Sequence, residues 1–158
     1  MNTFIRRAAI CSISIVSLLA GCATQTRPAS MPMPNSVPGI SVVMDCGQCQ
    51  VAPAIPDLIR TAYADAAAKA GVAIAGDAQM AVTIKEYKDR SMTIRALSVL
   101  AGPLAFSLKD EIKAVALVDG KPVALEYSYR MPFWGIETVA TKLGEMSFDA
   151  AAKQLSKD

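Results

Sequence analysis

Apolar and polar positions alternate most strictly over residues 111–130. Ile112, Ala114, Ala116 and Val118 alternate with Glu111, Lys113, Val115 and Leu117. Val123, Leu125, Tyr127 and Tyr129 then alternate with Ala124, Glu126, Ser128 and Arg130. A period of two puts each set on one face of a strand. Asp119-Gly120 between them predicts a hairpin turn, because glycine accepts positive φ. Pro122 has to lie at that turn or on a sheet edge, since it cannot donate to a ladder.

Elsewhere the period changes. Over residues 54–70, Ile55, Leu58, Ile59, Ala62, Ala66 and Ala70 recur at helical spacing. Pro56 and Asp57 suit a first helical turn and Gly71 suits the C-terminal cap. Before this helix, "ISVVM" (40–44) reads as a strand. After it, "VAIA" (72–75) reads as a short strand, and residues 78–88 read as another, with Met80, Val82 and Ile84 on one face and Ala81, Thr83 and Lys85 on the other. Residues 92–108 are apolar, with Leu97, Leu100, Leu104 and Leu108 at helical spacing, but Gly102-Pro103 interrupts them. A strand or short helix, a turn and a further strand fit this segment, as does an exposed apolar hairpin. Ile136, Val139, Ala140 and Leu143 start a last helix, which bends or breaks at Gly144 and continues through Phe148, Ala151, Ala152 and Leu155.

The order strand, helix, two strands, apolar segment, hairpin, helix predicts an α+β fold. The expected architecture is a mostly antiparallel sheet with two helices packed on one face. Upstream, residues 23–39 hold Pro28, Pro32, Pro34 and Pro38 and few large apolar side chains. They read as a Pro-rich tether, which at full extension reaches on the order of 50 Å.

The first residues add a compartment. Arg6 and Arg7 precede an uncharged apolar run from Ala8 to Ala20. This is the order of a secretory signal, and the run is short of the about 20 apolar residues that span a bilayer. Leu19-Ala20-Gly21-Cys22 then resembles the lipobox of bacterial lipoproteins: a branched apolar residue, two small residues and a cysteine. The resemblance implies a diacylglyceryl group on the Cys22 sulfur and an acyl group on its amine after cleavage. Ala23 in place of aspartate implies, in the same family, sorting to the outer membrane of a Gram-negative cell, facing the periplasm. The inner membrane and a Gram-positive cell membrane stay open. Each buried methylene of such chains contributes about 0.8 kcal/mol, so two or more chains anchor stably. The expected organisation is therefore a signal over 1–21, lipidated Cys22 with its tether over 22–39, and one domain over 40–158.

Charge and composition exclude more than they identify. With residues 1–21 removed, Arg6 and Arg7 leave, and 14 basic residues balance 14 acidic ones. A neutral chain without basic clusters gives nucleic acid no footprint. The chain has no histidine, which removes Ser-His-Asp and Cys-His catalysis and histidine-based zinc or haem sites. Asp110 and Glu111 are adjacent, so on a strand they face opposite sides and do not form a catalytic carboxylate pair.

Of four cysteines, Cys11 lies in the signal and Cys22 is the lipidation site. Cys46 and Cys49 remain. In an oxidising compartment their mutual disulfide is the expectation, and closing so short a loop contributes on the order of 2 kcal/mol at most. Cys46-Gly47-Gln48-Cys49 also resembles the strand, CxxC, helix order of thioredoxin-like proteins, which implies a redox pair. Asp45 beside Cys46, Pro53 and Pro56 before or at the helix start, and the missing aromatic before the first cysteine depart from that pattern. Two thiolates without further ligands do not make a zinc or iron–sulfur site, so no metal and no cofactor beyond the lipid is expected.

Tyr129, Phe133 and Trp134 form the remaining candidate set. Aromatics where a strand turns into a helix usually close the core, and a ligand or partner contact is the alternative. The order of elements over 40–156 resembles that of small periplasmic lipoproteins accompanying envelope transport, secretion or conjugation machines. That resemblance implies a non-enzymatic accessory or assembly component with membrane lipid and other envelope proteins as partners. A thiol–disulfide oxidoreductase and a small-molecule or lipid-binding module are the other two readings.

Overall fold

The computed structural model describes residues 33–91, 93–94, 109–130 and 135–157. The lipobox, most of the tether, the segment 95–108 and the pair Phe133-Trp134 lie outside the described residues.

The elements follow in the order β1 (Ser36–Met44), α1 (Ile55–Ala70), β2 (Ala73–Lys88), β3 (Asp110–Val118), β4 (Lys121–Tyr129) and α2 (Ile136–Leu155). The four strands form one sheet in the order β1-β2-β3-β4. β1 pairs with β2 in parallel, because α1 carries the chain back between them. β2–β3 and β3–β4 are antiparallel. The fold is α+β with a mostly antiparallel sheet, as the order of elements implied.

The inner face of the sheet is built from the alternating sets. Met80, Val82 and Ile84 of β2, Ile112, Ala114, Ala116 and Val118 of β3 and Leu125 of β4 are buried there. α1 contributes Ile55, Ile59, Tyr63 and Ala67 at a spacing of four, and α2 contributes Val139, Ala140, Leu143, Phe148 and Ala151. Tyr63, 0% exposed, is the largest side chain in the core. Its hydroxyl donates to the Pro38 carbonyl at 2.7 Å, so its one polar atom is satisfied. Its ring meets Phe148 edge-on, with centroids 6.1 Å apart.

The two helices meet at Gly144. α2 runs through it unbroken, where a bend or break was expected. A β-carbon there would stand 2.4 Å from the Ile59 carbonyl oxygen and 2.7 Å from the Ala62 β-carbon. The glycine is thus the point at which α1 and α2 approach closely. The hairpin turn is read correctly: Asp119 and Gly120 both adopt positive φ, 49° and 69°, the pair of angles a two-residue turn between twisted strands needs.

Two strand expectations change. β1 begins at Ser36, upstream of the expected Ile40, and runs through Pro38. β1 is an edge strand, where a proline costs no ladder bond on its solvent side. The two strands expected at 72–75 and 78–88 are one strand. Its pairing with β1 jumps from Pro38↔Ala75 to Gly39↔Gln79, so Gly76, Asp77 and Ala78 bulge out without ending it. A second, one-residue irregularity lies between Ile84 and Glu86.

Candidate functional site

The end of β1 leads directly into the CxxC loop. The Asp45 amide donates to the Ile84 carbonyl at 3.0 Å, extending the parallel ladder by one bond. The Cys49 amide donates to the Cys46 carbonyl at 3.3 Å, which closes a tight turn around Gly47 and Gln48. A disulfide joins Cys46 to Cys49, with their α-carbons 5.6 Å apart. Asp45 pairs with Lys85 of β2, and this hydrogen bond and charge hold its carboxyl below the usual carboxylate range. α1 begins only at Ile55. Neither sulfur therefore sits in the first turn of the helix, where the dipole lowers a thiol pKa.

The helices cover one face of the sheet. On the other, the register places Val43, Thr83, Val115 and Ala124 in one row across the four strands, and Ser41, Ala81, Leu117 and Pro122 in the adjoining row. Val43 is 46% and Leu117 49% exposed. Sheets with one solvated face usually put polar residues there, so these rows are an exposed apolar feature, beside the exposed Met44 and Ile74 elsewhere on the sheet.

A charged row lies directly above. Lys113 bonds Glu86 at 3.1 Å, and Lys88 reaches Glu111 at 3.3 Å. Lys109 also pairs with Glu111. The Glu111 carboxyl is 1% exposed. The Lys109 bond holds its pKa down against the upward push of burial, with Lys88 adding to it. The Glu86 carboxyl is held down by Lys113 and Lys88. Every charge in this row has an opposite partner, so the row is ionised and nearly neutral in sum.

Asp110 lies on the inner side, as adjacency to Glu111 required. It is buried with Arg90: the Arg90 amide donates to Oδ1 at 2.7 Å, and Nη2 donates to Oδ2 at 2.8 Å. The guanidinium also donates to the Arg130 carbonyl at 3.3 Å. Sequence reasoning missed this pair, because Arg90 sits outside the alternating pattern and only the fold brings it to β3. The carboxylates Asp110 and Glu111 thus belong to two separate ion-pair groups on opposite faces.

Of the aromatic set, Tyr129 is half-buried at the end of β4 and packs on the core. Its relation to Phe133 and Trp134 falls outside the described residues, as does Cys22. Among the described residues, no group of three or more Cys, Asp or Glu is arranged to hold a metal ion, and no helix is long and apolar enough to cross a membrane.

No protein-family model matches this chain, and no curated protein matches it. Four chains of solved structures match it, two of them as follows. One is a point variant of PelC from Paraburkholderia phytofirmans, solved as a dodecamer, at 14% identity and a TM-score of 0.46, over 75% of this chain and 86% of that one. The other is titled only an uncharacterized protein, at 12% identity and a TM-score of 0.42, over 79% of this chain and 95% of that one.

Proposed function

We propose that the chain is a lipid-anchored envelope protein acting as a non-enzymatic accessory or assembly component of a membrane-associated complex. Diacylglyceryl and N-acyl groups on Cys22 hold it to the outer membrane, and the domain faces the periplasm on its tether. The observation that carries this reading is the sheet face that no described helix covers. Exposed Val43 and Leu117 lie there with Ala81, Val115 and Ala124 around Thr83, and exposed apolar surface of this kind marks interaction sites. The adjacent charge row, three lysines paired with two glutamates, carries no strong excess of either sign and favours a protein partner over an anionic polymer.

Anchoring and docking are tested separately. Cells are fed labelled fatty acid, and the chain is crosslinked in intact membranes before its partners are identified by mass. Cys22→Ser is expected to abolish labelling and leave an unprocessed precursor; normal labelling of that variant ends the lipoprotein reading. Leu117→Lys is expected to remove crosslinks that the parent chain makes, while its own labelling stays intact. Unchanged crosslinks in that variant end the assignment of the open face.

A further inference from the structure

β2 is 16 residues long and its neighbour β3 only 9. The antiparallel pairing between them starts at Ala81↔Leu117. On the β3 side, the stretch Ala75–Met80 therefore has no backbone partner among the described residues, while β1 covers its other side only in part. β3 stops at Val118 and the chain turns away at Asp119-Gly120. What remains is the place of a missing strand, in line with β3 and alongside β2.

That place is a groove. A hollow of about 490 Å³ opens there, bounded by Val37 and Ala75 on one side, Leu117, Val118 and Gly120 on the other, and Leu155 of α2. The small residues Ala75, Ala78 and Gly120 leave room for a backbone to approach β2 closely, while exposed Leu117 and half-buried Leu155 offer apolar contacts for side chains. The exposed strand edge separates a peptide from an acyl chain as occupant. Unpaired N–H and C=O groups can be satisfied by another backbone, and a hydrocarbon leaves them unsatisfied.

The charge at the mouth specifies the peptide further. Asp77, on the bulge, and Asp119, on the turn, are exposed and enter no ion pair among the described residues. Lys121 follows the turn and Lys157 follows Leu155, so cations flank the notch, while Asp77 and Asp119 are the carboxylates on its bulge and turn sides. We infer that this notch binds an extended segment of a partner polypeptide, carrying alternate apolar side chains and a basic residue, which adds a short strand beside Ala75–Met80. The inference deepens the docking reading above and rests on it for the partner being a protein. It does not depend on lipidation.

The probe is a capped peptide of about seven residues, long enough to span the open edge, with alternating valine and threonine and one central lysine. Two companions accompany it: one with glutamate for lysine, and one N-methylated at alternate amides. Binding to the purified full-length chain in detergent is followed by fluorescence anisotropy. The lysine peptide is expected to bind saturably, and about tenfold more tightly than the glutamate peptide, the ratio for one gained against one opposed charge contact. N-methylation is expected to abolish binding. Asp77→Lys with Asp119→Lys is expected to reverse the charge preference, with an unchanged thermal melt showing that the fold is retained. Absent saturable binding, equal binding of the N-methylated peptide, or an unchanged charge preference in the double variant overturns the proposal. Sedimentation of the chain alone gives the remaining outcome: self-association that the peptide competes away makes a second copy the occupant and overturns the assignment to a partner. Fatty-acid labelling of the same preparation reports anchoring separately, and crosslinking of a Val43→Lys chain, altered on the sheet face and outside the notch, reports that face separately.

Discussion

Replacing Gly144 with alanine sets two effects of similar size against each other. In an isolated helix the change gains about 1 kcal/mol, because glycine gives up more backbone freedom than alanine. Here the new β-carbon would lie 2.4 Å from the Ile59 carbonyl oxygen, 2.7 Å from the Ala62 β-carbon and 3.1 Å from the Tyr63 amide nitrogen. Two of these three neighbours are backbone and cannot swing aside. Relief requires α1 and α2 to move apart, which loosens the Tyr63–Phe148 contact and the packing of Leu143. Overpacking of a well-filled core costs about 1–3 kcal/mol, and rigid neighbours put this case at the upper end. The net expectation for Gly144→Ala is a loss of about 2 kcal/mol. Urea unfolding followed by far-UV circular dichroism, with the disulfide intact, measures it as a lower midpoint at unchanged slope. Ala62→Gly in the same chain should recover only part of the loss, because the Ile59 carbonyl contact remains. Gly76→Ala, whose β-carbon meets nothing within 4 Å, serves as the control and should stay within about 0.5 kcal/mol. A Gly144→Ala chain as stable as its parent, or stabilised by the helix term alone, refutes the close-approach account.

Leu125→Asp should destabilise by several kcal/mol, on the order of 3, by placing a charge at a site 4% exposed; Ser128→Asp, on the opposite face of β4, should cost far less in the same titration. Asp110→Ala should cost about 3 kcal/mol or more, because Arg90 stays buried after losing its carboxylate partner; a near-neutral midpoint shift would show that the pair is not a structural contact. Burial pushes the Tyr63 hydroxyl up to about 12, against about 10 for an unfolded tyrosine. The folded state thus holds this proton more tightly. The associated stability is present below about pH 10, and falls as pH rises from there through about 12. Tyr63→Phe should flatten the stability curve between those pH values while lowering the neutral-pH baseline by the lost bond to Pro38; a slope unchanged in that window means Tyr63 is not the titrating group.

The parts of the fold that the sequence made legible are those where local chemistry and tertiary context agree. The 111–130 hairpin carried its own register in Asp119-Gly120 and in the apolar alternation. α1 was bounded by Pro56 and Gly71. The misreadings share one cause, which is that turn-forming residues were placed by tertiary pairing. Gly76-Asp77 looked like a break between two strands, yet β1 on one side holds β2 together across the bulge. Pro38 looked like tether, yet its carbonyl is the partner of Tyr63. Gly144 looked like a helix bend, because a glycine's role in helix packing depends on a second helix that no local pattern reveals. In the candidate site, the pairing of Cys46 with Cys49 was legible from their spacing and from the compartment the sequence leads one to expect. The open apolar face and the notch beside β2 could not be read, since both depend on strand order and on unequal strand lengths.

The parallel pairing of β1 with β2 also bears on the order in which the chain can fold. Ser36 meets Ala73, so this ladder closes only after the whole of α1 has been threaded between its strands. The β3–β4 hairpin needs only a two-residue turn and forms on a scale of about 1–10 μs. Chain closure over the longer span pays its entropy before any contact repays it. β1, the strand at the sheet edge, is then the last to be fixed in place. Substitutions at Val118–Lys121 should slow refolding in stopped-flow measurements, whereas those at Val37 or Val42 should mainly speed unfolding. β1, at the sheet edge, is accordingly the first strand to let go, which makes the β1–β2 ladder the kinetically weakest seam of an otherwise cooperative domain.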